Sequence, residues 1–251
     1  MTLPYAHRTF HRAPTFESAL HSPLHTNRNL LIIGRSICEH GLEDKIGVAL
    51  LHKHFSIRNS EITLRVSFDK GSFTFVTSRP PENVQPCLWA VDQNVLSPIE
   101  YLVTQQEIAV QDGIINGLAW ELIRYNLHNT YSLIYLPAYP DPGPDGQTYE
   151  MTNKKLRLSL VSNRISADLR DAHFAKSAFA FEVFDGEVRV IPRTKCLPCI
   201  SCIATIDPVN ERKIPFEESD VLGTGLSLKG YEFQDNLITQ QFISEMYERI
   251  N

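Results

Sequence analysis

Hydrophobic and polar positions alternate most cleanly over Glu61–Phe68 (EITLRVSF) and Ser72–Thr77 (SFTFVT), which predicts two strands of a half-buried sheet. Asp69-Lys70-Gly71 lies between them and supplies a turn, with Gly71 able to take a positive φ, so the pair reads as a hairpin. Arg79-Pro80-Pro81 stops the second strand, because proline has no N–H to give to the ladder. A stronger hairpin is written at Phe179–Phe184 and Glu187–Ile191, joined by Asp185-Gly186, the preferred chemistry for a two-residue turn. Lys155–Val161 alternates as well, and Cys87–Val91 and Thr130–Leu136 (TYSLIYL) have the β-branched and aromatic content of core strands. Asn29–Gly34 (NLLIIG) is a short apolar run and reads as a buried strand.

Helical spacing marks other segments. In Gly41–Ile57 (GLEDKIGVALLHKHFSI), Val48, Leu51 and Phe55 fall at i, i+3 and i+7, and Glu43 and Asp44 occupy the first turn, where the helix dipole favours acids. Asp112 opens a helix to about Leu127, with Ile115, Leu118, Ala119 and Leu122 on its buried stripe. A last helix is predicted from Asp235 to Arg249, carrying Phe242, Ile243 and Met246. Thr15 is placed to cap a short helix to about His21, ended by Pro23.

Strands arriving as hairpins with helices between them predict an α+β fold, a largely antiparallel sheet built from hairpins with a few covering helices. A regular βαβ alternation is missing, so a doubly wound nucleotide fold is not favoured. The expected organisation is an irregular N-terminal arm over residues 1–28 and a single α+β domain over 29–251, with a weak subdivision at the Pro/Gly-rich loop 139–147.

Composition narrows the function. With 43% hydrophobic and 21% charged residues in 251, the chain is globular in type and long enough for a sizeable core. A net charge of -5 argues against a nucleic-acid binder, which would show a basic face. No apolar run reaches the ~20 residues that span a bilayer, and the secretory signal pattern is absent, so no membrane association and a cytoplasmic location are expected. Five cysteines, an odd number, then read as reduced thiols rather than a disulfide framework.

Candidate chemistry is scattered. Cys196, Cys199 and Cys202 form C-x-x-C-x-x-C, three thiols that can converge on one soft cation, zinc being the candidate cofactor. A fourth ligand would have to come from Cys38, Cys87 or a histidine brought near by the fold; the alternative is three small buried thiols behind a strand. His52 and His54 form H-x-H. On a strand they would share a face, but on the helix expected here they diverge by about 200° and cannot hold one ion together. A structural role is the expected one for both; of the two, His52, at the edge of the apolar stripe, is the better candidate for a proton donor. Ser36, Cys38 and His40 follow the strand expected at 29–34, so Cys38 and His40 join His52 as candidate catalytic residues; the G-x-S-x-G elbow is absent. The acidic group Glu217, Glu218 and Asp220 has no EF-hand spacing, and the glycines from Gly223 to Gly230 match no phosphate loop.

The segment from Asn29 to Val66 resembles a set of filamentous-fungal proteins that carry Leu-Leu-His-Lys/Arg-His-Phe followed by an acidic residue and a strand. Here the match is Leu50, Leu51, His52, Lys53, His54 and Phe55, then Glu61. A cysteine pair near their last strands is similar to Cys196 and Cys199. The resemblance covers about a sixth of the chain and implies a soluble intracellular fungal protein, with no activity attached.

Three functions remain open from the sequence. A module binding a small molecule or protein partner comes first, since no coherent catalytic set is visible. The alternatives are an enzyme of unfamiliar class with its site near His52 and Cys38, and a cysteine-rich metal-binding domain.

Overall fold

The computed structural model describes residues 4–68, 71–104, 106, 108, 110, 112–153, 157–163 and 174–196. Among them the helices are α1 (His7–Arg12), α2 (Phe16–Leu20), α3 (Asn27–Glu39) and α4 (Asp112–Arg124). The strands are β1 (Ile46–Leu50), β2 (Ile62–Phe68), β3 (Gly71–Thr77), β4 (Val84–Asp92), β5 (Val95–Val103), β6 (Tyr131–Tyr135), β7 (Thr148–Asn153), β8 (Leu158–Ser162), β9 (Ala175–Phe184) and β10 (Glu187–Cys196). The helix expected at 235–249 lies outside the described residues, as do Cys199, Cys202 and the segment 217–230.

The strands close into a barrel in the order β1-β6-β4-β5-β2-β3-β8-β7-β10-β9. Closure comes from β9 pairing back onto β1, Val48 opposite Phe179 and Ala49 opposite Ala178. Pairing is antiparallel except for two parallel seams, β2 with β5 and β7 with β10. The α+β reading with a mainly antiparallel sheet and covering helices therefore holds, and among the described strands closure leaves no unpaired edge.

Both predicted hairpins form. Ile62 to Phe68 pairs in register with Thr77 to Gly71. At the second, Asp185 and Gly186 have φ of 51° and 77°, the positive values a two-residue primed turn demands. Thr15 caps α2 by accepting the Ser18 N–H, as expected. The segment expected to be an irregular arm carries α1 and α2, which bury Phe10 and Phe16.

Two elements are the reverse of expectation. Asn29–Gly34 lies in a helix, α3, whose Thr26 cap accepts the Asn29 N–H and whose Leu30, Ile33, Gly34 and Ile37 are buried. The apolar run hid this 3, 4, 7 spacing because it was read over six residues instead of thirteen. Gly34 is needed there: a Cβ would stand 2.2 Å from the Phe181 ring of β9. Conversely, Gly41–Ile57 is not a helix. Residues 46–50 are strand β1, buried throughout. Its apolar positions satisfied a helical stripe only because both faces of the strand are covered. Val48 and Leu50 pack with α2, α3 and α4 in the largest hydrophobic cluster, while Ala49 lines the barrel interior. Gly47 lets β1 approach β9, since a Cβ would meet the Phe179 carbonyl oxygen at 2.6 Å.

The barrel interior is polar. Thr63, Arg65, Thr74, Ser132, Ser159, Ser177 and Thr194 are all buried and line a cavity within it. The alternation of β2 and β3 is as predicted, but their polar face points into the lumen rather than to solvent. Among the described residues, no helix is long and apolar enough to cross a membrane.

Candidate metal centre

Beyond Leu50 the chain stays extended. The Leu51 N–H donates to the Thr130 carbonyl at 2.8 Å, and the Lys53 N–H to the Pro14 carbonyl at 2.9 Å, with Thr15 bridged to Lys53 in parallel. An extended chain puts residues two apart on one face. His52 and His54 therefore point together, with their Nε2 atoms 2.9 Å apart. This overturns the expectation that they diverge, and its cause is the strand in place of the helix.

Two further donors meet them. Glu150 sits in β7, with Oε1 3.5 Å from His54 Nε2. Cys196 closes β10, with Sγ 3.7 Å from the same nitrogen. One donor atom from each of His52, His54, Glu150 and Cys196 lies within 4.8 Å of all the others. A tetrahedral zinc with nitrogen at about 2.0–2.1 Å and sulfur at about 2.3 Å spaces its donors by about 3.3–3.6 Å, which these separations approach. The set is compatible with a divalent metal ion.

The His52 imidazole is oriented for ligation. The Nδ1 of His52 lies 2.7 Å from the Leu50 carbonyl oxygen, so in the neutral ring Nδ1–H donates and Nε2 carries the lone pair toward the cluster. Phe16, fully buried, packs on the ring with centroids 4.8 Å apart. Burial, reinforced by His54, pushes the His52 pKa down to about 4, against weaker opposition from Glu150, so the ring is neutral near pH 7. For Glu150, burial pulls upward, but the neighbouring His54, through its electrostatic influence and its hydrogen bond, outweighs it and holds the carboxyl low, at about 2. Glu150 is thus an anionic oxygen donor at any ordinary pH.

His52, His54 and Glu150 line the barrel cavity, a space of about 70 Å³ that reaches Arg65, Glu100 and Tyr139. Arg65 donates from Nε to Glu100 Oε1 at 2.6 Å and from Nη1 to Ser72 Oγ at 2.6 Å. Its guanidinium carbon stands 4.1 Å from the Tyr139 ring centroid.

Of the residues the sequence singled out, His52, His54 and Cys196 belong to this cluster and Cys38 and His40 do not. Cys38 is on α3, half-buried and packed against the helix–barrel core, and burial followed by Glu43 and Glu39 raises its thiol pKa. His40 ends α3, exposed, with Nδ1 2.7 Å from the Ser36 carbonyl oxygen of its own helix. Both were placed after a strand in the sequence reading; they lie on a helix and at its end. Cys87 is buried inside β4, its thiol donating to Glu100 at 3.6–3.7 Å. Sequence reasoning missed Glu150 altogether, because nothing local marks it. Only the parallel pairing of β7 with β10 sets Glu150 opposite Cys196.

No family model, no curated protein and no solved structure matches this chain.

Proposed function

We propose that this protein is a metal-binding barrel that holds one divalent transition metal through His52, His54, Glu150 and Cys196. The observation that supports this reading is the convergence of four ligand atoms from three separate parts of the barrel within 4.8 Å. Two imidazoles, a carboxylate and a thiolate form a borderline-soft set that suits zinc in tetrahedral geometry. Four protein donors fill that geometry, so the ion is a clamp. It ties the exit of β1 to β7 and to the end of β10.

The cavity beside the cluster favours a second reading, in which three donors hold the ion and Glu150 acts as a base toward a ligand in the lumen. That reading is an enzyme; the first is not.

Elemental analysis of the purified full chain tests the proposal, with an expected stoichiometry of about one metal per chain. Cobalt(II) titration then separates the readings. Four protein donors give an intense tetrahedral spectrum with a thiolate charge-transfer band, and Glu150→Gln alters it. Under the second reading Glu150→Gln leaves the spectrum unchanged. The absence of stoichiometric metal together with no cobalt–thiolate band overturns both.

A further inference from the structure

Behind the metal cluster, the barrel interior holds a second constellation with hydrogen-bonding capacity to spare. Arg65 and Glu100 form an ion pair at 2.6 Å, with side chains 3% and 7% exposed. Arg65 uses Nε and Nη1, and Glu100 accepts through Oε1. Among the described residues no hydrogen bond engages Nη2 of Arg65, Oε2 of Glu100 or the Tyr139 hydroxyl. Thr74 Oγ1 is buried with no hydrogen-bond partner. All four residues line the 70 Å³ cavity. Buried polar groups are normally satisfied, and leaving one bare costs about 1–3 kcal/mol. Thr74 Oγ1 is such an orphan, and the three other unused hydrogen-bonding atoms belong to residues bordering the same cavity, where a guest can meet them.

The chemistry of that guest follows from charge and size. The Arg65 charge is already neutralised by Glu100. A bound divalent ion would be neutralised in turn by Glu150 and the Cys196 thiolate. The lumen therefore offers an anion no uncompensated positive charge, and burying an unpaired charge is strongly unfavourable. What it does offer is donors (Arg65 Nη2, the Tyr139 and Thr74 hydroxyls) beside an acceptor (Glu100 Oε2). At about 10–15 Å³ per water, the space holds roughly five waters, or one molecule of about four to six heavy atoms.

We propose that the barrel lumen is a binding site for a small neutral molecule bearing both a carbonyl or hydroxyl acceptor and an N–H or O–H donor, of the amide or hydroxycarbonyl class. Its acceptor oxygen takes hydrogen bonds from Arg65 Nη2 and the Tyr139 hydroxyl, and its donor reaches Glu100 Oε2. Lys53, His54 and Phe55 line the same cavity and are partly buried. The holding groups are not the metal ligands, so lumen binding and metal binding can fail separately.

The test is ligand-observed NMR and calorimetry on the full chain with acetamide and hydroxyacetone, and acetate as the charged counterpart. Each is measured on metal-loaded protein, on chelator-treated protein and on His54→Ala. The neutral probes are expected to bind saturably in the low millimolar range, on the order of what four to six heavy atoms can deliver, and acetate not to compete. Tyr139→Phe and Thr74→Val each remove one hydroxyl at constant shape, so folding is retained. Tyr139→Phe should weaken acetamide about five- to tenfold, the worth of one hydrogen bond. Thr74→Val should raise thermal stability in the ligand-free protein by removing an orphan hydroxyl, and weaken the probes. Probe binding that persists in His54→Ala while metal is lost shows that the lumen site stands independently of the ion, whereas metal retained by His54→Ala counts against the metal reading alone. No saturable binding below about 100 mM (far weaker than a filled site of this size would give), equal binding by wild type and Tyr139→Phe, or preferential binding of acetate overturns the proposal.

Discussion

Glu150 and Cys196 are direct cross-strand partners in the parallel ladder between β7 and β10. Side chains opposite each other in a ladder emerge on the same face, so pairing register alone delivers the carboxylate and the thiol together. The closed barrel then brings β1 round to add His52 and His54. The metal cluster is thus a product of strand order: the β7–β10 pairing supplies Glu150 and Cys196, and the segment after β1 supplies His52 and His54.

The first prediction concerns those donors. A structural zinc site is worth about 10–16 kcal/mol over its ligands, so losing one of four costs on the order of 100-fold or more in affinity. Cys196→Ser and His54→Ala should each lose stoichiometric metal on dialysis, read by elemental analysis. In wild type, a chelator should lower the melting temperature, and the drop should be absent in both variants. Full metal retention by Cys196→Ser would remove the thiolate from the ligand set.

A second prediction concerns acid stability. The Glu61 carboxylate receives Arg157 Nη1 at 3.1 Å and Nη2 more closely, and the Arg58 N–H at 2.7 Å. The Arg157 hydrogen bond, opposed by partial burial and aided by Arg58, holds its pKa down at about 2 against an ordinary 4.5. A carboxyl depressed in the folded state binds its proton first in the unfolded chain. Its stabilisation is complete above pH 4.5 and is lost as pH falls from there toward 2. Glu61→Gln should therefore flatten the urea midpoint across that window and cost about 1–2 kcal/mol at pH 7, after allowance for its partial exposure. Parallel pH profiles of the two proteins would refute this.

The Arg65–Glu100 pair supplies a third. Removing one partner of a buried ion pair strands the other charge and costs about 3–5 kcal/mol, whereas replacing both with apolar groups is close to neutral. Arg65→Met should be severely destabilised, and Arg65→Met with Glu100→Leu should recover most of the loss. Additive single and double effects in denaturant titrations would show that the two side chains do not act as a pair.

The contact of Gly34 with Phe181 supplies a fourth. In an open helix, alanine would exceed glycine by about 1 kcal/mol. Here the added Cβ would overlap the Phe181 ring, so Gly34→Ala should destabilise by about 1–3 kcal/mol instead. Pairing it with Phe181→Leu should recover part of that loss, and a stabilised Gly34→Ala would contradict the packing.

Much of the fold was legible in single segments. The two hairpins were written in alternation and turn residues, because a turn such as Asp185-Gly186 needs positive φ whatever surrounds it. The Thr15 cap and the helix starting at Asp112 are likewise local and were read correctly. The errors fell on Asn29–Gly34, too short a window to show the helical spacing of α3, and on Gly41–Ile57, where burial of both faces of β1 erased the alternation that marks a strand. Of the cluster, His52, His54 and Cys196 were visible as residues of interest, and Glu150 was not.

The sequence by itself determined which stretches alternate, where they turn and which residue types are able to ligate a metal, since these follow from local sterics and side-chain chemistry. Tertiary structure decided the rest. Barrel closure turned the polar faces of β2 and β3 inward, the hydrogen bonds of Leu51 and Lys53 to Thr130 and Pro14 kept His52 and His54 on an extended chain, and the β7–β10 ladder set Glu150 beside Cys196. Those outcomes depend on pairing between residues far apart in the chain, and periodicity within one segment carries no record of its partner.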